Sequence, residues 1–118
     1  VKQKTYQDFA DFWIDDAAYQ VGRGTRYLAI AGEVEVGTEH TVQDAICRSA
    51  RAHDVFIRIN DGEVQVAAEP WVFDVLDASK ALDRRLQHAL VGALLGYSAD
   101  KVQDFLDRID RMLRHETV

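Results

Sequence analysis

Apolar positions recur at helical spacing toward both ends of the chain and alternate in its middle. Tyr6, Phe9, Ala10, Trp13 and Ala17, widened by Phe12, predict a helix over 5–20 with an aromatic face that needs cover. Thr5 and Asp8 can accept the free amide hydrogens at its start, and Gly22-Arg23-Gly24 ends it. A second helix is expected from Thr41 to His53. Thr41 and Asp44 repeat the capping pattern there, and Val42, Ala45, Ile46, Ser49 and Ala50 form a narrow face of small residues suited to a sheet.

Between these helices, Tyr27–Ala31 and Glu33–Val36 read as one bent strand with a bulge at Gly32. After the second helix, Val55–Ile59 and Glu63–Ala67 flank Asn60-Asp61-Gly62, the pattern of a tight β-hairpin. Pro70 follows. Trp71–Leu76 fits a third strand of a meander or a helix with proline at its first position, and its β-branched and aromatic content favours the strand.

The C-terminal third is helical. One helix starts at Asp77 or Ser79 and runs to about Leu95, with Leu82, Leu86, Ala89, Leu90 and Ala93 on one face and Gly96 beyond its end. Another starts at Ser98 and carries an apolar stripe of Val102, Phe105, Leu106, Ile109, Met112 and Leu113. The predicted order is α-β-α-β-β-(β)-α-α. This is a single α+β domain over 1–118, an antiparallel hairpin or meander sheet packed by helices with a C-terminal helical pair.

Composition narrows the function classes. The chain has 118 residues, 47% of them hydrophobic, as in ordinary globular proteins. Twenty acidic residues against 14 Lys and Arg leave a net charge of −6, which argues against duplex-DNA binding through general phosphate attraction. Cys47 is the one cysteine, so neither an internal disulfide nor a cysteine-rich zinc site can form, and a reduced, cytoplasmic setting is expected. The apolar run Ala89–Tyr97 is less than half of the ~20 residues a membrane span needs, and the first residues lack an apolar signal core.

Three groups of side chains stand out as candidates for binding. Asp8, Asp11 and Asp15 fall at i, i+3 and i+7 on one helical face, where they can present negative charge to a basic partner. Arg23 and Arg26 flank the glycine loop and are candidate anion contacts, with Tyr27 and His88 as possible polar ligands of a pocket. The glycine loop itself follows a helix and precedes a strand, the reverse of a phosphate-cradling loop. The four histidines show no zinc spacing, and Ser79 and Ser98 read as helix caps, so no catalytic set, metal or cofactor is expected. On the last helix, Asp104–Arg108, Asp107–Arg111 and Asp110–Arg114 pair acid with base at i, i+4 and neutralise one another.

The stretch from His88 to Leu106, with its Leu95-Gly96-Tyr97 corner, resembles segments in small proteins of phages and other mobile elements. The sequence therefore points to a small acidic accessory protein that acts by binding another protein, such as an inhibitor of a nucleic-acid-handling partner. The alternative is a small-molecule binder or minor enzyme, with a pocket between the sheet and the Trp13 and Trp71 aromatics. Gly92 and Gly96, with Ala89 and Ala93, are spaced for close helix packing. The partner for that packing is expected to be the last helix of the same chain, through Phe105 and Leu106. A homodimer involving this helical pair is also expected.

Overall fold

A computed structural model describes residues 6–116, with side-chain surroundings described for residues 10–114. The chain separates into two compact units, 1–70 and 71–118. The first holds α1 (Tyr6–Gly22), β1 (Leu28–Glu33), a 3-10 turn (Glu39–Val42), α2 (Gln43–His53), β2 (Phe56–Asn60) and β3 (Glu63–Ala67). The second holds α4 (Arg84–Leu94) and α5 (Ala99–Glu116), with α3 (Pro70–Ser79) beginning at the boundary. The α+β class read from the sequence is the observed one.

The three strands form an antiparallel sheet in the order β1-β3-β2. Asp61 and Gly62 close the β2–β3 hairpin with φ of 49° and 81°, the two positive values of a type I′ turn. The bulge expected at Gly32 is present: pairing shifts register between Ile30 and Gly32, where φ reaches 136°. It also ends the strand early. Glu33 is the last residue of β1, so the predicted alternation through Val36 continues only as a Val34 N–H bond to the Gly62 carbonyl, 2.7 Å long.

Helices α1 and α2 cover one face of the sheet. Val64 packs with Ala10, Ile14, Val42, Ala45 and Ile46, while Val66 packs with Ala17, Ala18, Val21, Ala29 and Val55. The face of α1 turned inward includes Ala10, Ile14, Ala17, Ala18 and Val21, so Ala10 and Ala17 of the predicted stripe are buried but Trp13 is not. Tyr6 and Phe9 lie outside the residues whose side chains are described. Small side chains let the helix approach the sheet closely, and Phe12 and Trp13 stay 65% and 47% exposed. Thr41 also behaves differently from expectation. Its hydroxyl donates to the Thr38 carbonyl in the 3-10 turn instead of capping α2. At the other end of α2, Asp54 takes the left-handed conformation and turns the chain into β2.

Residues 71–76 are helical, which corrects the expected third strand of a meander. Pro70 lacks the N–H that a ladder needs, and at the first position of a helix that loss is harmless. Val72 and Ser79 are buried at i and i+7, with Val75 and Leu76 half-buried between them, so the spacing is helical. The β propensity of Trp71, Val72, Phe73 and Val75 gave way to packing.

In the second unit Asp83 caps α4, accepting the Leu86 N–H at 3.0 Å, so α4 starts later than the sequence suggests. Ser98 caps α5 through the Lys101 N–H at 3.2 Å. Gly92 of α4 is met from within the unit, by Val102 and Tyr97 rather than the expected Phe105 and Leu106. Arg85 of α4 also pairs with Asp110 of α5. Among the described residues, no helix is long and apolar enough to cross a membrane.

Candidate functional site

Asp11 and Asp15 of α1 face α2. Arg48 reaches Asp11 at 3.3 Å, and Asp15 accepts from the Ser49 hydroxyl at 3.4 Å and lies 2.9 Å from His53 Nε2. Tyr19 stacks edge-on against His53 one turn further along α1. These contacts form a polar seam that fastens α1 to α2. Asp8, the third member of the predicted acidic face, lies outside the residues whose side chains are described.

The candidate anion and ligand contacts are divided between the two units. Arg23 is exposed and sits over the Tyr19 ring, 5.4 Å from its centroid. Arg26 lines a cleft of about 190 Å3 between α1 and β1, with Trp13, Asp16, Gln20 and Ile30. This cleft lies between the sheet and the Trp13 side of α1 and is smaller than the ~300 Å3 at which small-molecule pockets begin. Tyr27 is exposed at the start of β1. His88 belongs to the second unit, where its ring packs edge-on against Phe105 at 5.2 Å. There it lines an open groove of about 680 Å3 with Gly92, Tyr97, Lys101 and Val102.

The other residue types singled out for chemistry have structural partners or lie apart. Ser79 donates to the Leu76 carbonyl at 2.6 Å, and Cys47 is exposed on α2. Among the described residues, no three His, Cys, Asp or Glu side chains gather as a metal site.

The two edges of the sheet differ. On β1 the outer edge is interrupted twice. Leu28 is fully buried, and the bulge bends the strand at Gly32, against which the Trp13 ring rests. Among the described residues, nothing interrupts the β2 edge. Asn60 and Glu63 flank the two-residue turn, so Asn60–Glu63, Arg58–Gln65 and Phe56–Ala67 exchange the ladder bonds. The N–H and C=O of Ile57 and Ile59 then point away from β3. No backbone group outside the sheet bonds to them among the described residues. All five residues of β2 keep some exposure.

Beside that edge runs an open groove of about 450 Å3 between β2 and the start of α2. Ile46, Ile57, Ile59 and Val36 give it apolar walls, and Glu39 and Asp61 give it negative charge. Glu39 is fixed in place: its carboxylate accepts the Gly37 N–H at 2.9 Å. Its own backbone amide, that of Gly37 and the nearby His40 together hold its pKa below the ordinary value of 4.5. Arg58 lies on the opposite face of the sheet, where its Nε donates to Gln65 at 2.7 Å.

Sequence reasoning read the hairpin but singled out none of these residues. An edge strand can be recognised only once β1 is known to pair with β3 and not with β2. No family model matches the chain, and neither a curated protein nor a solved structure is significantly similar to it.

Proposed function

We propose that this chain is a small accessory protein that acts by binding another protein, and that the outer edge of β2 is its contact surface. The observation that carries the reading is the contrast between the two sheet edges. Proteins commonly protect exposed edges with bulges, burial or inward charges, because an open ladder pairs with other chains. Here β1 has a bulge and two buried residues, Leu28 and Ala29; β2 has neither, carries one half-buried charge in Arg58, and borders a groove. An edge left regular in this way suits a chain that recruits a strand from its partner.

The polar seam between α1 and α2 bears on the alternative surface. Asp11 is paired with Arg48, and Asp15 is hydrogen-bonded to Ser49 and His53, so both carboxylates are already engaged within the chain. The β2 edge is the better supported contact.

Capture from a lysate at low and high salt tests the reading, with the contact then mapped by cross-linking. A retained protein cross-linked to β2 or the adjoining groove is the expected result. Retention of nothing at either salt concentration contradicts it.

A further inference from the structure

The chemistry of the groove beside β2 restricts what can enter it, and this inference rests on the protein-binding reading above. We propose that β2 takes an extended segment of a partner protein, added antiparallel to its free edge, with apolar side chains at alternate positions and a lysine or arginine near its N-terminal end.

The alternation and the position of the cation follow from the geometry, taking the added strand antiparallel as the other strands of the sheet are. Ile57 and Ile59 supply outward donors and acceptors two residues apart, so an incoming strand meets them with every second residue. The side chains of those same residues of β2 lie on the helix-covered face, beside Ile46. An added strand therefore presents alternate side chains to an apolar wall, where only uncharged ones are accommodated without loss of solvation.

Charge sets the polarity. Glu39 and Asp61 line the groove at the hairpin-turn end, with Val36 beside Gly62. Among the described residues, no lysine or arginine lines the groove except Arg58, which is bonded to Gln65 on the other face of the sheet. The favoured complement is a cation at the turn end of the added strand. In an antiparallel ladder that end is the N-terminal one, opposite Asn60. A second copy of β2 pairing in full overlap would set Arg58 directly across from itself, a like-charge pair that disfavours this register.

The test uses the full chain and capped hexapeptides of alternating valine and threonine, titrated by calorimetry and light scattering. One peptide begins with lysine, a second with glutamate, and a third is the lysine peptide with alternate backbone amides N-methylated. The lysine peptide is expected to bind about fivefold more tightly than the glutamate peptide, as two exposed charge pairs allow. N-methylation is expected to weaken it at least tenfold, by removing ladder bonds. The variant pair Glu39→Gln with Asp61→Asn is expected to erase the preference for lysine while keeping the fold, since Asn-Gly suits the same turn.

Equal binding of the lysine and glutamate peptides would overturn the charge assignment. Undiminished binding after N-methylation would overturn strand addition. A chain that binds no peptide, has twice the monomer mass and protects the Ile57 and Ile59 amides from exchange would overturn the partner strand in favour of self-association at this edge. If no peptide binds and a partner is still captured at another surface, this inference fails while the protein-binding role stands.

Discussion

Gly22 at the end of α1 lies against the backbone of His53 at the end of α2. A Cβ placed on the glycine would stand 2.7 Å from the His53 carbonyl oxygen and 3.1 Å from its Cβ. The two helices meet here with no room for a methyl group, at the same seam that joins Asp15 to His53. Within a helix, glycine to alanine ordinarily stabilises by up to about 1 kcal/mol. Gly22→Ala is expected to do the reverse and cost about 1–3 kcal/mol, because backbone must move. Urea denaturation gives the sign, and a more stable variant would contradict the contact.

The second close approach separates packing within the chain from packing between chains. A Cβ on Gly92 would lie 3.0 Å from Val102 Cγ2, and a larger side chain would force α4 from α5. Gly92→Leu is expected to destabilise by about 1–3 kcal/mol while the mass from light scattering stays unchanged. Unchanged stability with a lower mass would place the contact between subunits.

Asp83 makes a narrower prediction. Its carboxylate holds the Leu86 N–H at the start of α4, and Asp83→Ala removes that acceptor. The expected loss is about 1 kcal/mol, with Asp83→Asn restoring most of it. Chemical denaturation followed by circular dichroism compares the two variants.

Glu39 gives the acid side of the stability curve a definite sign. Its pKa in the folded chain lies below 4.5, so its stabilising contribution is complete above that pH. The contribution is lost as pH falls through the lowered folded value. Wild type and Glu39→Gln should therefore differ by a constant amount above pH 4.5 and converge below it. A carboxyl NMR titration that places Glu39 at or above 4.5 would contradict the arrangement.

Much of the fold was legible because local chemistry and packing agreed. Asp61-Gly62 specified its turn, Gly32 its bulge, and Ala45, Ile46 and Ser49 the inward face of α2. The readings that failed were those in which large side chains were taken to define the core. On α1 the helix approaches the sheet through Ala17 and Ala18, so Trp13 is left at the rim beside Gly32. At Trp71–Leu76 the composition favoured a strand, but Pro70 and the spacing of Val72 and Ser79 carried the helix.

The candidate site was less legible, for a topological reason. Ile57 and Ile59 look like any apolar positions of a hairpin until β1 takes the far side of β3. Glu39 and Asp61 are 22 positions apart in the sequence and share a groove only because the 3-10 turn returns to the hairpin end.

Amide hydrogen exchange on β2 tests the open edge most directly. In the free chain, the Ile57 and Ile59 amides are expected to exchange faster than that of Arg58, whose N–H is in the ladder to Gln65. Saturating lysine peptide is expected to slow Ile57 and Ile59 selectively. Protection of both amides already equal to that of Arg58 in the free chain, or no change on adding the peptide, would contradict strand addition at this edge.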